Sequence, residues 1–352
     1  MKVDILHIQD AKGKILCHDI TKIVRGEFKG AVFRKGHVIR DEDILELRRM
    51  GKENIYVIEL EPDDVHENEA GTRLGQAAAG EGVTWNEPGE SRVNLFAARR
   101  GLLHVNVAAL EEINDLPEVV MATLPTNTVV DAGEMLAGTK VTPLVVKEKV
   151  VAAAENTCLQ AGGIIKVLPF RSTRVGLVVT GGEVYKGRIK DTFGPVLTEK
   201  IEKFGSELLR LEYAPDDAEI ISMLVKGQVN DGAEMVLVSG GMSVDPDDVT
   251  PAGIRQAGAV VEKYGAPALP GAMFLLAYLG AVPILGVPAC GMYFRTTILD
   301  LVLPRLFTGQ RLGRKDIVAL AHGGLCRACA TCAYPNCSFG QGGGNNGNDG
   351  SL

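Results

Sequence analysis

RVGLVVTGGEV, residues 174–184, decides the fold. Its apolar run shows no polar alternation and stops at two glycines, as expected of a parallel strand buried on both faces that then enters a turn. Downstream the period changes. TFGPVLTEKIEKFG (192–205) has helical spacing, with Pro195 in its first turn and Gly205 as a stop. ELLRLEY (207–213) returns to a strand, DDAEIISMLVKGQVND (216–231) to a helix, and AEMVLVSGG (233–241) is a second buried strand ending in glycines. This succession predicts an α/β fold with a doubly wound, mostly parallel sheet. Ligands of such sheets sit beyond the carboxyl ends of the strands, where strand order switches. Thr180-Gly181-Gly182-Glu183 and Ser239-Gly240-Gly241 fall at such ends.

Working towards the N-terminus, residues 61–170 read as a mixed α/β region, with an Ala-rich helix in ENEAGTRLGQAAAG, a strand in GLLHVNV and a helix before Ile164. Residues 1–60 read as a small β-rich unit around one helix, DEDILELRRMG, which has an acidic start and a closing Gly51. The α/β domain is thus placed at 171–312 and preceded by a smaller, mixed α+β region. A Cys-rich tail is placed at 313–340, and the low-complexity residues 341–352 are expected to be disordered.

The formal net charge of -7 argues against non-specific nucleic-acid binding, which requires a basic face. MKVDILHIQD lacks the basic, apolar and small-residue succession of a signal peptide, so a cytoplasmic location is expected. The long uncharged stretch at 265–294 contains Pro267, Pro270, Pro283 and Pro288 with five glycines, which would break a membrane helix repeatedly. No membrane partner is expected.

Glycines directly after buried strands let backbone N–H groups approach a phosphate, and two such turns in one domain point to a phosphorylated ligand. The second turn continues as SGGMSVDPDDVTPAGI, which brings Asp245, Asp247 and Asp248 close to it. Carboxylates beside a phosphate need an intervening cation. Asp248 or Asp247 then holds Mg²⁺; alternatively, Asp248 or Thr250 only caps the following helix.

Val178-Val179-Thr180-Gly181-Gly182-Glu183, Pro215-Asp216-Asp217 and Ser239-Gly240-Gly241-Met242-Ser243, with Asp248-Val249-Thr250 beyond, resemble the molybdenum-cofactor biosynthesis domain. That domain is shared by molybdopterin adenylyltransferases and molybdopterin molybdenumtransferases. The resemblance covers roughly 171–310. It implies catalytic roles for Asp248, Asp216 and Glu183, and substrate binding by Thr180, Gly181, Gly182, Ser239, Gly240, Gly241, Ser243 and Pro288. It also implies Mg²⁺ as cofactor, molybdopterin, ATP or AMP, and molybdate as small-molecule substrates, and self-association. The long N-terminal part, with Ala137-Gly138-Thr139 and Pro143-Leu144-Val145-Val146, is similar to that of the molybdenumtransferases. Molybdate insertion with release of AMP is therefore expected ahead of adenylyl transfer. A third reading is a non-catalytic pterin carrier that docks to a molybdoenzyme. There are departures: Gly182 and Glu234 stand where the family often has Asp, and Gly286-Val287-Pro288-Ala289-Cys290 replaces a Pro-Gly-Asn-Pro-like loop.

Cys326, Cys329, Cys332 and Cys337 form a separate pattern, C-x2-C-x2-C-x4-C. Clustering in one short segment points to a metal rather than to disulfides. The spacing approaches the bacterial ferredoxin run, so an iron–sulfur cluster of the [4Fe–4S] kind is expected ahead of Zn²⁺, whose structural sites usually join two Cys pairs across a longer loop. His18, His37, His66 and His104 are scattered and form no catalytic grouping.

Overall fold

The structure is a computed structural model that describes residues 2–24, 28–89 and 91–342. Most of the segment expected to be disordered, residues 343–352, lies outside the described residues. The chain divides into two compact units, one comprising residues 1–98, 106–124 and 133–166, the other 99–105, 125–132 and 167–352.

In the first unit, Lys2–His7 and Ile15–Leu16 both pair antiparallel with Asn54–Glu59. The helix Asp41–Arg49 begins with three acids and ends with two arginines, charges that suit the helix dipole at each end. Leu16, Ile20, Ile39, Leu47, Ile55 and Val57 close a small core. The same unit holds an antiparallel sheet of Val119–Thr123, Met135–Val141, Val93–Ala97 and Val83–Trp85. Helices Glu67–Ala78 and Glu148–Gln160 are joined by Arg73, which donates to Glu148 at 2.7 Å and to Glu155 at 2.6 Å.

The second unit is built on a six-stranded sheet: β1 Arg174–Thr180, β2 Glu207–Ala214, β3 Met235–Ser239, β4 Val260–Tyr264, β5 Leu275–Leu279 and β6 Val282–Val287. Its spatial order is β2-β1-β3-β6-β5-β4. β2, β1, β3 and β6 run parallel, and β5 is antiparallel to both neighbours. The protein is thus α/β with a doubly wound, mostly parallel sheet. The uncharged stretch at 265–294 forms no long helix: it contains the β5–β6 hairpin, with Gly280 at φ 62° in its turn, and a short 3-10 turn, Ala289–Met292. No helix among the described residues is long and apolar enough to cross a membrane.

Helices cover both faces of the sheet. Val175, Leu177 and Val179 of β1 pack with α1 (Phe193–Glu202) and α4 (Ile298–Phe307), the helix that follows the sheet. Val178 faces the other way, with Val236 and Val238 of β3, onto α2 (Ala218–Asn230) and α3 (Thr250–Gln256). Residues of both parities are therefore fully buried, which accounts for the unbroken apolar runs of β1 and β3. Each fully buried Ile or Leu contributes about 1.5–3 kcal/mol. A short helix, α5 (Arg314–Ala319), follows α4.

Candidate functional site

Strand order reverses between β1 and β3, since β2 leaves β1 on one side and β3 returns on the other. The two glycine turns lie at this switch point. The Thr180 hydroxyl donates to Ser239 O at 3.0 Å and lies 3.2 Å from the Thr250 hydroxyl, so Thr250 donates to Thr180. Gly240 and Gly241 have φ of 89° and 54°. A Cβ at Gly240 would meet Thr180 O at 2.5 Å, and one at Gly241 would meet the Thr250 hydroxyl at 2.8 Å. The second turn thus requires glycines to fold against the first. Among the described residues, the Ser239 hydroxyl is buried without a hydrogen-bond partner.

The first turn runs straight into a single helical turn, Gly182–Tyr185. The Asp216 carboxylate accepts a hydrogen bond from Gly182 N at 2.8 Å, and Asp217 caps α2 by accepting from Glu219 N at 2.8 Å. Asp216 and Glu183 are both exposed. Glu234 lies at the opposite, amino end of the strands, where it accepts from Arg174 N at 3.0 Å.

A cavity of about 580 Å³ opens beside the second turn, within the range of small-molecule sites. Its walls include Gly241, Met242, Ser243 and Asp248, the 269–273 loop, Pro288, Ala289, Cys290, Phe294, and Leu325, Cys326 and Ala328 of the tail. Among the described residues, Asp248 is their one carboxylate, and no Lys, Arg or His lines the cavity. The residue capping α3 is Val249, with no side-chain hydrogen bond, so neither Asp248 nor Thr250 serves as a cap. Asp248 instead accepts from Asp245 N at 3.2 Å. Burial first, and then the Asp248 charge, push the Tyr264 phenol above its ordinary value. Tyr264 donates to Met242 O at 2.8 Å, which steadies the wall.

Of the residues singled out from the sequence, Gly241, Ser243, Asp248, Pro288 and Cys326 line this cavity. Thr180, Ser239 and Gly240 shape the turns behind it, while Gly181, Gly182, Glu183 and Asp216 belong to the first turn. The 269–273 loop was missed. Its signal was Pro270-Gly271: Gly271 has φ of 129°, and a Cβ there would meet Ile298 at 2.5 Å.

The tail folds back onto the domain. Cys326 N donates to Leu269 O at 2.8 Å, Tyr334 donates to Asp300 O at 2.9 Å, and Phe339 is buried. Cys326, Cys329, Cys332 and Cys337 all line a second cavity of about 440 Å³.

This architecture defines an α/β domain with a cavity beyond the carboxyl ends of β3 and β6, next to its sheet's switch point. Residues 176–308 match the family described as "Probable molybdopterin binding domain", and residues 5–59 match one described as "Domain of unknown function (DUF8806)". The likeness to the molybdenum-cofactor biosynthesis family thus falls on the segment 176–308, which carries the turns and cavity just described. Similar curated proteins include a "CinA-like protein" of Mycolicibacterium gilvum, 34% identical over 79 residues, or 22% of this chain and 19% of that one. Another, of Mycobacterium avium, is 33% identical over 79 residues, 22% of this chain and 18% of that one. The chain spans about a fifth of the length of these relatives. Among solved structures, the molybdopterin biosynthesis enzyme MoaB of Thermus thermophilus is 21% identical, covers 39% of this chain and 98% of its own, and has a TM-score of 0.33. The molybdopterin biosynthesis MoeA protein of Pyrococcus horikoshii is 18% identical, covers 88% and 75%, and also scores 0.33.

Proposed function

We propose that the protein binds adenylylated molybdopterin in the 580 Å³ cavity and inserts molybdate into it, releasing AMP. The carrying observation is Asp248: a lone carboxylate on the cavity wall, without a capping role and beside a glycine turn. A phosphorylated ligand there meets one negative side chain and no positive one, an arrangement that is favourable with a cation between them. Asp248 would hold Mg²⁺ through its own carboxylate; Asp245 and Asp247 stand in the same short loop, but the three carboxylates are not gathered at ligand distance of one another. When bound, Mg²⁺ supplies charge stabilisation to phosphate oxygens. The chain's own part is positioning. Gly241 lets the backbone approach the ligand, the Thr180–Thr250 pair fixes the turn, and the apolar walls exclude water.

One observation favours a carrier instead: Glu183 and Asp216 lie outside the cavity walls, and the Asp216 carboxylate is engaged by Gly182 N. An anaerobic reaction with adenylylated molybdopterin, Mg²⁺ and molybdate, run beside one with molybdopterin, MgATP and molybdate, and following AMP, pyrophosphate and bound molybdenum together, separates the readings. AMP release coupled to bound molybdenum is the expected result. Pyrophosphate release without metal insertion would mean an adenylyltransferase, and pterin binding without turnover a carrier.

A further inference from the structure

We propose that Cys326, Cys329, Cys332 and Cys337 hold a [4Fe–4S] cluster in the 440 Å³ cavity, which shares a wall with the ligand cavity. The proposal does not depend on the identity of the ligand next door. Four observations carry it. First, all four thiols, separated by up to eleven positions in sequence, line one cavity, and none is in a disulfide. Second, no three of their sulfurs lie within 4.8 Å of one another. Tetrahedral zinc, with Zn–S near 2.3 Å, draws its sulfurs to about 3.8 Å apart. A cubane, with one iron at each of four corners, holds its sulfurs further apart, so this spacing argues against a preformed zinc site rather than for any one cluster.

Third, the charge is complementary. Arg295 and Arg327 line the cavity and no acidic side chain does. A four-thiolate cluster in its usual oxidised state carries about two negative charges, and two guanidinium groups offset them. Fourth, a second layer is in place. The Thr296 hydroxyl lies 3.2 Å from Cys332 Sγ, poised to donate to a coordinated sulfur, and Thr296 is itself buried. Hydrogen bonds of this kind set the potential of such clusters.

Phe294, Cys326 and Ala328 line both cavities. A cluster bound through Cys326 therefore fixes the wall that the ligand meets. Loading from a preformed cluster is ligand exchange: each cysteine thiol passes its proton to a thiolate leaving iron, a cysteine sulfur takes that place, and no electrons are transferred.

The test is to incubate the intact protein anaerobically with a synthetic thiolate-ligated [4Fe–4S] cluster, desalt it, and measure iron, sulfide, zinc and the EPR signal after one-electron reduction. About four iron and four sulfide per chain are expected. Cys329→Ala, at an exposed position, should lose that complement with an unchanged circular dichroism spectrum, whereas Cys17→Ala should retain it. Amide exchange of the 324–329 segment should slow on loading. Zinc bound in place of iron, absence of iron after incubation, or full loading of both Cys329→Ala and Cys332→Ala would overturn the cluster. Unchanged exchange at full iron occupancy would overturn the shared wall.

Discussion

The hydroxyls of Thr180 and Thr250 lie 3.2 Å apart and join the end of β1 to the start of α3. Both residues are buried, and Thr180 spends its one proton on Ser239 O. Thr180→Val keeps the shape but strands a carbonyl and a hydroxyl. We expect a loss of about 1–3 kcal/mol, read as a lower urea midpoint at constant m value, together with weaker ligand binding as the second turn loosens.

Asp248 and Asp216 are expected to part company in kinetics. Asp248→Asn removes the one charge on the cavity wall, so AMP release should fall on the order of 10²-fold, the scale of losing one positioned electrostatic group, with pterin affinity little changed. Asp216→Asn keeps an oxygen for Gly182 N and should remain within a fewfold of the parent protein. Single-turnover assays with separately measured affinities check both; equal losses would place the two carboxylates in one role.

Asp300 serves α4 twice. It accepts from Thr297 N at 2.8 Å in a capping box, and it pairs with Lys200 at 2.6 Å with both side chains mostly buried. Asp300→Ala leaves the Lys200 ammonium without its carboxylate and Thr297 N without its acceptor, while the Thr297 side chain still caps the helix through Leu299 N. A destabilisation of about 3–5 kcal/mol is expected in thermal or urea unfolding. Asp300→Asn, which retains a capping oxygen, should cost less.

Alkaline pH should weaken the fold. Burial pushes the Cys158 thiol up to about 11, while an unfolded chain's thiol ionises near its ordinary value of about 8.5. Across that window the folded state holds more protons than the unfolded one, so stability falls as pH rises, by up to about 1.4 kcal/mol per pH unit. Burial likewise pushes up the phenols of Tyr278 and Tyr334, which extends the decline in the second unit. Urea midpoints between pH 8 and 11 should slope downward, and Cys158→Ala should flatten the slope in the first unit.

Elements buried on both faces were legible in the sequence because nothing polar interrupts them. β1, β3, α1 and α2 read directly from apolar runs, prolines and glycines, and so did the switch point their turns mark. The β5–β6 hairpin was not, since prolines and glycines in an uncharged stretch announce only that no long helix forms. The site was legible on one side alone. Asp248 and Gly241 follow a recognisable strand, whereas Leu269, Phe294 and Leu325 meet through a chain reversal that no local pattern encodes. The engagement of Asp216 by Gly182 N was equally hidden, because it joins positions 34 residues apart.

The pairing of Leu325 with Leu269 places the last wall of the cavity far downstream of the sheet that bears it. During synthesis the six strands and their helices are complete while Leu325, Cys326 and Ala328 are still to be added. Leu325, Cys326 and Ala328 close the side of the cavity on which Leu269, Met273 and Phe294 lie. A chain cut before residue 324 would therefore keep the six-stranded sheet and lack that wall of the cavity.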